Sequence, residues 1–358
     1  MNEKKVLFLA PYPPGQSPSQ RFRFEHYLQQ LQEHGIEYDY ISFLSPSAWN
    51  FFFKPKHYLR KIAALFSGFI RRWFLMFRIR KYHYVYIHRE AAPIGPPVFE
   101  WIIARVYRKK IIYDFDDAIW VPAASTVNKM ALHFKYFSKV ASICKMAYTV
   151  TVGNKYLADF AAQYCKNVVV IPTVVDTGKV HDQLQVHQVA NPAVGWTGTL
   201  TTLKYLEIVL PVLQRLQEKI DFTFIVISNS DPELPLKNYR FIKWNGASET
   251  SDLLTIHIGL MPLYDGDLEK GKCGFKAIQY MALGIPALVS PVGVNADIVD
   301  EGMNGFICKT EQDWEDKISL LLQDDSLRSL LGKAAKEKIE EKYSVKATAQ
   351  SFLRLFRK

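Results

Sequence analysis

The sequence predicts an α/β protein built from two doubly wound domains, and three observations lead to this prediction. The chain has 358 residues, more than twice the roughly 150 that one domain usually occupies. Short apolar runs alternate with amphipathic stretches, which indicates parallel strands separated by helices. The alternation stops at a polar segment and then starts again. We assign residues 1–175 to an N-terminal domain, 176–192 to a linker, 193–340 to a C-terminal domain and 341–358 to a final helix.

The N-terminal domain begins with the apolar run Lys5–Ala10, which predicts a buried parallel strand that ends at a loop rich in Pro. A helical stretch follows Ser19 and ends near Gly35. Further strands are predicted at residues 36–43, 84–87, 110–113, 148–152 and 168–171, and further helices at residues 97–107 and 154–164.

The C-terminal domain repeats this alternation. Strands are predicted at residues 193–196, 222–227, 240–243, 258–261 and 287–290, and helices at residues 202–218, 276–283, 313–323, 327–341 and 345–356. Ligands of open α/β sheets bind beyond the carboxyl ends of the strands. We therefore expect a ligand-binding cleft between the carboxyl ends of the two sheets.

Composition and cysteine usage exclude several classes of protein. Apolar residues make up 49% of the chain and charged residues 22%, which excludes a disordered or collagen-like chain. The four cysteines have no CxxC spacing, which favours reduced thiols in a cytosolic protein without a zinc site. The first apolar run is too short for a signal peptide, and no run approaches the ~18 residues needed to cross a bilayer. We expect a cytoplasmic protein that associates peripherally with the inner face of the cell membrane.

The net charge of +10 comes from one segment of the chain. Residues 40–89 contain ten basic residues and no acidic residue, whereas basic and acidic residues are equal in number over the rest of the chain. A basic block in an otherwise balanced protein favours an anionic partner.

Within this block, residues 51–81 predict a basic amphipathic segment. At ~100° per residue, one helical face collects Leu59, Ile62, Ala63, Phe66, Phe69, Ile70, Trp73 and Phe77, and the other collects Arg60, Lys61, Arg71, Arg72 and Arg78. Such a helix suits the interface of an anionic membrane. The residues expected to bind the membrane are Arg60, Lys61, Arg71, Arg72 and Trp73. The alternative is an ordinary helix that packs its apolar face on the core and leaves its basic face in solvent.

Two stretches of the C-terminal domain have the residues of a phosphate-binding site. In the first, a predicted strand runs into Gly198 and Thr199, and a helical stretch with Lys204 follows. Backbone N–H groups at such a turn point at an anion. In the second, Lys272 and Lys276 flank a glycine-containing loop before a helix. A plain strand–helix turn and a solvated basic loop are the alternatives.

The second stretch continues into a longer pattern. It reads Gly274-Phe275-Lys276-x-x-Gln279-Tyr280-Met281-Ala282-x-Gly284-x-Pro286, followed by Ser290-Pro291-Val292-Gly293-Val294-Asn295 and Glu301-Gly302-Met303-Asn304-Gly305-Phe306. From Gly195 to about Ile307, this order of motifs resembles the nucleotide-sugar half of GT-B glycosyltransferases, and most closely the retaining family 4 (group 1). The resemblance implies two Rossmann-like domains that face each other across a cleft. We expect the final helix to return to the N-terminal domain.

The same resemblance implies a role for individual residues in binding the donor. The implied donor-binding residues are Gly198, Thr199, Lys204, Lys272, Gly274, Phe275, Lys276 and Gln279. Gln279 replaces a carboxylate that usually binds the ribose hydroxyls, and it can still donate and accept hydrogen bonds. The other glutamate of the family's paired motif falls on Gly271, so the sequence departs from the family at both positions.

Candidate acceptor residues follow the first strand. Gly15 stands where family members bring a Gly-rich loop towards donor and acceptor. Arg21 and Arg23 are candidates for bidentate binding of phosphate. For each of the two arginines the alternative is a surface charge at the start of a helix.

Candidate catalytic residues are acidic. Asp114, Asp116 and Asp117 crowd three carboxylates into four residues near the end of a predicted strand, and such costly sites are functional more often than not. Glu90 follows the neighbouring strand. We take Asp116, Asp117 and Glu90 as the candidates. Metal ligation by the aspartates is the alternative, but GT-B enzymes generally do not hold their donor through a metal.

Together these features predict a glycosyltransferase that moves a sugar from a nucleoside-diphosphate sugar to a lipid-linked glycan acceptor, with retention and without a metal or other cofactor. Assembly of a bacterial surface polysaccharide or glycan fits this activity. One alternative is a nucleotide-sugar 2-epimerase of the same fold, which would need no membrane-directed helix. The other is a non-enzymatic nucleic-acid-binding protein, although such proteins usually spread basic residues over an open face.

Overall fold

The computed structural model describes residues 4–54, 56–122 and 136–357. The chain divides into two compact units. The first consists of Met1–Thr173 together with Thr348–Lys358, and the second is Val174–Ala347. Each unit contains a six-stranded sheet, and the paired strands run parallel. The predicted fold class of two doubly wound α/β domains is confirmed.

The sheet of the first unit has the order β2-β1-β3-β4-β5-β6. Its strands are β1 (Lys4–Ala10), β2 (Ile36–Ser42), β3 (Tyr84–His88), β4 (Lys110–Phe115), β5 (Thr149–Val152) and β6 (Val168–Val170). The side chains of β3 and those of Val6 to Ala10 in β1 are buried, as expected for strands covered on both faces. After β1 the chain forms β2 on one side of β1 and then crosses over to form β3 on the other side. This topological switch point is where a doubly wound sheet binds ligands.

The helices of the first unit only partly follow the predicted boundaries. They are α1 (Pro18–Arg23), α2 (Leu28–Glu33), α3 (Pro46–Phe52), α4 (Tyr58–Met76), α5 (Val98–Trp101), α6 (Lys139–Met146) and α7 (Lys155–Ala162). The helix predicted after Ser19 is two short helices joined by a 3₁₀ turn, Glu25–Tyr27. The helix predicted at residues 97–107 is α5 followed by a π-helical turn, Ile102–Val106.

The sheet of the second unit has the order β12-β11-β10-β7-β8-β9. Its strands are β7 (Ala193–Gly198), β8 (Thr223–Ser228), β9 (Tyr239–Lys243), β10 (Ile258–Met261), β11 (Ala287–Val289) and β12 (Gly305–Ile307). The switch point lies between β7 and β10. The short edge strand β12 was not predicted.

The helices of the second unit cover this sheet. They are α8 (Leu210–Gln217), α9 (Glu249–Leu253), α10 (Asp267–Lys270), α11 (Phe275–Ala282), α12 (Asn295–Ile298), α13 (Glu311–Gln323) and α14 (Asp325–Lys342). The last helix, α15 (Val345–Arg354), begins in the second unit and continues into the first. The stretch predicted as one helix at residues 202–218 is a 3₁₀ helix, Leu200–Ile208, followed by α8. Trp196 and Trp314 are buried in the core between sheet and helices.

The end of α15 belongs to the first unit, as the prediction of a returning final helix requires. The ring of Phe352 stacks on the ring of Tyr27 with centroids 4.2 Å apart. The hydroxyl groups of Tyr27 and Thr348 are 2.6 Å apart. Phe356 is fully buried, with its ring centroid 6.2 Å from that of Phe8 on β1.

Candidate functional site

The first part of the candidate site is the turn that follows β7. A Cβ atom at Gly198 would lie 2.4 Å from the Trp196 ring and 2.8 Å from the hydroxyl of Thr202, so only glycine fits. Thr199 then begins the 3₁₀ helix with a capping box, in which its N–H donates to the Thr202 hydroxyl at 3.1 Å. The turn therefore has a fixed conformation at the switch point of the second sheet.

Two of the predicted lysines converge on one aromatic ring beside this turn. The Lys204 ammonium lies 4.9 Å from the ring centroid of Tyr205, and the Lys272 ammonium lies 5.9 Å from the same centroid. The Tyr205 hydroxyl donates to the carboxylate of Glu269, and the Lys204 ammonium is 3.5 Å from that carboxylate. The loop after β10 and the helix after β7 thus bring positive charges together.

Glu269 is a residue of this site that the sequence analysis did not select. Its burial raises the pKa of the carboxyl, but the hydrogen bond from Tyr205 and the charge of Lys204 outweigh burial and lower it. The carboxylate is therefore ionised at neutral pH. Glu269 lies two residues before Gly271, the position at which the family has a glutamate. This nearby glutamate was the feature of the sequence that could have identified Glu269 as a site residue.

The start of α11 completes the predicted donor site. Gly274 adopts a left-handed conformation with φ of 67°, where a Cβ atom would collide with Ile298. Phe275 is the first residue of α11, and the Lys276 ammonium lies 5.6 Å from the ring centroid of Trp196. Gln279 is only 2% exposed, and its Nε2 has no hydrogen-bond partner. A buried amide without a partner is costly, which makes Gln279 a candidate for a ligand contact.

In the first unit, Asp114 lies inside β4 and not beyond it. Its carboxylate is fully buried and is 2.6 Å from Nη2 of Arg23 and 2.7 Å from Nδ1 of His88. The Thr151 hydroxyl donates to it at 3.1 Å. Burial would raise the pKa of Asp114, but the Arg23 charge and the His88 hydrogen bond lower it to about 2.

The prediction that Arg23 binds phosphate is corrected by this arrangement. Arg23 is 1% exposed, and besides pairing with Asp114 it donates to the carbonyl of Ile171 and to the hydroxyl of Thr151. Its donors are therefore used inside the protein. Arg21 is partly exposed, and its guanidinium lies 4.6 Å from the ring centroid of Phe22.

A chain of hydrogen bonds links Asp114 to the edge of the sheet. The Ser19 hydroxyl is 3.2 Å from Nε2 of His88. In a neutral His88 whose Nδ1–H donates to Asp114, the lone pair is on Nε2, which then accepts from the Ser19 hydroxyl. Ser19 is partly exposed, whereas His88 is buried at the carboxyl end of β3. The sequence analysis selected neither residue, although His88 directly precedes the switch-point loop.

Asp116 is fixed by a neighbour with a strained backbone. Arg89 has φ of 60°, unusual for a residue with a side chain, and such strain is often found at functional sites. Its Nε and Nη2 donate to one Asp116 oxygen at 2.9 and 2.8 Å. Burial raises the pKa of Asp116, but the charges of Arg89, His88 and Arg23, together with the hydrogen bond from Arg89, outweigh burial and lower it. Asp117 accepts a hydrogen bond from the Ala118 N–H at 3.0 Å.

Glu90 borders a small cavity at the switch point of the first sheet. Its carboxylate is 2.7 Å from the ammonium of Lys139, which also donates to the carbonyl of Ala92 at 2.8 Å. The cavity has a volume of about 60 Å³, and its lining includes Arg89, Glu90 and Lys139. The structure thus brings Glu90 close to the Arg89–Asp116 pair. Gly15, with φ of 75°, lies exposed in the loop after β1.

Helix α4 exposes the apolar face that the sequence predicts. Leu59 is 84% exposed, Phe66 is 66% exposed and Phe77, just past the helix end, is 79% exposed. The alternative of a helix that buries its apolar face in the core is therefore wrong. Trp73 is half exposed. Pro55, inside the predicted segment 51–81, lies outside the described residues.

The basic residues of α4 fall into different environments, and one prediction is corrected. Arg72 is 1% exposed and donates to the carbonyls of Ala91, Ile41 and Ala10 at 2.8, 3.1 and 3.2 Å. Burial lowers its pKa to about 9. Arg72 therefore anchors α4 to the sheet and cannot contact a membrane.

Arg60, Lys61 and Arg71 are less buried than Arg72. Arg60 is exposed. The ammonium of Lys61 donates to the carbonyl of Lys54 at 2.6 Å, and Arg71 donates to the carbonyl of Phe43.

In the described part of the chain, none of the helices has both the length and the apolar character needed to cross a bilayer. Over the same residues, no group of three His, Cys, Asp or Glu side chains is arranged to hold a metal ion.

Comparisons with known proteins agree with this architecture. Residues 191–324 match the family model described as Glycosyl transferases group 1, and no curated protein matches the sequence. The fold is similar to that of sucrose-phosphate synthase from Thermosynechococcus elongatus, with a TM-score of 0.73 and 14% identity over 99% of this chain and 98% of that chain.

Two further solved structures are similar over nearly the whole chain. The catalytic domain of starch synthase IV from Arabidopsis thaliana, bound to ADP and acarbose, has a TM-score of 0.68 and 12% identity over 99% of both chains. HepE from Anabaena, in complex with UDP-glucose, has a TM-score of 0.65 and 15% identity over 98% of both chains. The chain therefore has the GT-B fold, and its second unit carries a glycosyltransferase domain of group 1.

Proposed function

We propose that this protein transfers a sugar from a nucleoside-diphosphate sugar, held by the second unit, to a hydroxyl group of an acceptor held by the first. The observation that carries the proposal is the buried side-chain amide of Gln279 in α11, the helix that also carries Lys276. The Nε2 of this amide has no hydrogen-bond partner. A ribose hydroxyl or another acceptor atom of the nucleotide would satisfy this donor. The match of residues 191–324 to the group 1 glycosyltransferase model supports the assignment.

The lysines of the second unit suit the diphosphate of the donor. Lys204 and Lys272 lie within 6 Å of the Tyr205 ring centroid, and Lys276 lies within 6 Å of the Trp196 ring centroid. As the bond between the sugar and the diphosphate breaks, negative charge grows on the leaving oxygen. Cations already in place stabilise that charge without reorganising, which is the main way such a site accelerates a reaction. We propose that this site acts without a metal ion and, as the family resemblance implies, with retention.

The acceptor side of the proposal rests on the small cavity of the first unit. Glu90 and Arg89 line it, and Arg89 pairs with Asp116, so a hydroxyl placed there would meet the Glu90 carboxylate, which can orient it. The exposed apolar stripe of α4, beside exposed basic residues, supports an acceptor that is linked to lipid and a protein that works at the cytoplasmic face of the membrane. Assembly of a bacterial surface polysaccharide or glycan is the role that fits best.

The experiment is a titration of the protein with UDP, ADP, GDP and dTDP, followed by incubation with the corresponding nucleotide sugars. We expect one nucleotide to bind and its sugar to be released slowly to water. Lys276→Ala should abolish that release, and Lys219→Ala, which removes an exposed charge of the same unit, should not. Failure of every nucleoside diphosphate to bind the folded protein would contradict the proposal.

The membrane part of the proposal has a separate test. The protein should co-sediment with vesicles that contain phosphatidylglycerol at low salt, and Trp73→Ala should weaken this binding with little change in salt dependence, because its contribution is apolar. If the wild-type protein stays in solution, the lipid-linked acceptor loses its support while sugar transfer does not.

A further inference from the structure

A groove runs along one side of α4, between the end of that helix and strand β2. Its volume is about 720 Å³. Arg71, Phe74, Leu75 and Arg78 line it at intervals of three and four residues, the spacing that places side chains on one side of a helix. The groove therefore combines aromatic and cationic side chains on a single wall.

The two arginines of this wall have no acidic partner in residues 4–54, 56–122 and 136–357. Arg71 donates to the carbonyl of Phe43, but its Nε is buried without any partner, and burial lowers its pKa. Arg78 is exposed and forms no ion pair with a described residue. A partly buried guanidinium without a counter-charge is costly, and a bound anion would offset that cost.

The acidic residue that lines the groove does not supply this counter-charge. The carboxylate of Asp39 accepts from the Tyr82 hydroxyl at 2.6 Å and from the Lys81 ammonium at 2.9 Å, and the ammonium of Lys5 is 3.6 Å away. Asp39 is thus neutralised by its own neighbours. The charges of Arg71 and Arg78 are left to an external anion.

The aromatic side chains restrict the kind of anion. Phe74 is 68% exposed and Phe77, just past the end of α4, is 79% exposed, and both line the groove. A hydrophilic anion would leave these rings in water. A molecule with a phosphate next to an acyl chain would pair with the arginines and cover the rings at the same time.

We propose that this groove binds the headgroup phosphate of an anionic phospholipid, with Arg71 and Arg78 on the phosphate and Phe74 and Phe77 against the acyl chains. The inference rests on the membrane-facing part of the proposed function and sharpens it. Binding through diffuse charge would depend only on the number of basic residues in and next to α4. Binding of one lipid in a groove depends instead on the positions of those basic residues.

The experiment uses dihexanoyl-phosphatidylglycerol below its micelle concentration as the probe, titrated into the full-length protein and followed by calorimetry. We expect Arg71→Gln/Arg78→Gln to weaken binding at least tenfold, as expected for the loss of charge-assisted hydrogen bonds. The matched control is Arg60→Gln/Lys61→Gln, which removes two positive charges from α4 outside the groove and should change binding of this soluble lipid less than twofold. Arg78→Gln alone, at an exposed position, tests the site if the double variant does not fold.

Three results would overturn the proposal. Equal weakening in the two double variants would indicate diffuse electrostatic binding. Inorganic phosphate that binds as tightly as the lipid would indicate a free-anion site in which the rings have no part. The absence of lipid binding by the folded wild-type protein would exclude the site altogether. Nucleotide affinity, measured on the same samples, should not change in any variant, so failure of the groove and failure of the sugar-transfer proposal are distinguishable.

Discussion

Nδ1 of His88 lies 2.7 Å from a carboxylate oxygen of Asp114, and both side chains are completely buried where β3 and β4 run side by side. The other oxygen of Asp114 pairs with Arg23, so one ionised carboxylate holds a histidine and an arginine. The histidine in turn reaches the Ser19 hydroxyl. The position of α1, which carries both Ser19 and Arg23, therefore depends on a charge in the interior of the sheet.

Replacing Asp114 with Asn should destabilise the first unit. The change leaves the buried guanidinium of Arg23 without its counter-charge, and breaking a buried pair in this way costs ~3–5 kcal/mol. Urea unfolding measures the loss. Asp117→Asn, which keeps its contact with the Ala118 N–H, should cost less than ~1 kcal/mol. Equal stability of the two variants would contradict the role given to Asp114.

The same carboxylate predicts how stability depends on acid. Its folded pKa of about 2 lies below the ordinary value of 3.8, so its contribution to stability is present above pH 3.8 and is lost as the pH falls towards 2. The difference in unfolding free energy between wild type and Asp114→Asn should therefore shrink over that interval.

Substitutions of Asp116 and Asp117 should lower the rate of sugar transfer without changing the affinity for the nucleotide. Asp116→Asn can keep a hydrogen bond from Arg89 but removes the charge. If either aspartate orients the acceptor hydroxyl or takes its proton, its Asn variant should lose ~10²–10⁴ in turnover. Nucleotide affinity should persist, and Asp159→Asn, an exposed carboxylate of α7, serves as the control. Wild-type turnover in both variants would show that the pair is structural.

Lys204 and Lys276 should each contribute to donor affinity. Substitution of either by Ala removes a charge-assisted contact of ~1.5–3 kcal/mol, so the dissociation constant of the nucleotide should rise at least tenfold without unfolding. Calorimetric titration of the nucleotide that binds wild type gives the answer. Unchanged affinity in both variants would remove these lysines from the site.

Gln279 offers a prediction in which stability and binding change in opposite directions. Gln279→Met keeps the volume of the side chain and removes an Nε2 that is buried without a partner. The melting temperature of the ligand-free protein should stay the same or rise, because an unsatisfied polar group is lost. Affinity for the nucleotide should fall. A variant that is destabilised but binds normally would indicate that the amide is needed only for packing.

His257 should make the second unit sensitive to mild acid. Its Nδ1 accepts from the Ala193 N–H at 3.1 Å, and burial, together with nearby His187 and Arg328, lowers its pKa from 6.5 to about 4. The unfolded chain therefore takes up the proton first. The stability that neutral His257 provides is complete above pH 6.5 and declines by ~1–3 kcal/mol as the pH falls towards 4.

The test of this prediction replaces His257 with asparagine, whose side-chain oxygen can still accept the hydrogen bond from the Ala193 N–H. His257→Asn should flatten the dependence of unfolding free energy on pH between 6.5 and 4. His34→Asn, at an exposed histidine of the first unit, should leave it unchanged. A dependence of the same steepness in wild type and His257→Asn would contradict the assignment.

The strands could be predicted because each is a short apolar run, and the limits of the prediction have physical causes. Strand β12 has only three residues, too few to show a period. Asp114 was grouped with Asp116 because a carboxylate inside a buried strand is unexpected, and only the fold shows that Arg23 and His88 stabilise it there. The positions of Lys204, Lys272 and Lys276 could be anticipated from the motif, whereas the contact of Lys204 with Glu269 could not.

The basic face of α4 is a second feature that the sequence predicted only in part. Periodicity correctly separated apolar from basic positions, but it could not tell which basic residue meets the sheet. Arg72 binds three carbonyl groups, those of Ala10, Ile41 and Ala91, which come from distant parts of the chain. A contact made with two strands and one loop leaves no trace in a helical period.

The return of α15 has a consequence for biosynthesis. Phe352 and Phe356 complete the aromatic cluster around Tyr27 and Phe8, yet the ribosome makes them only after the whole of the second unit. During translation the second unit can finish folding while the first still exposes Tyr27 and the side of β1 that Phe356 covers. The nascent first unit is therefore the part of the chain that chaperones would need to shield, and its release from them should follow the synthesis of α15.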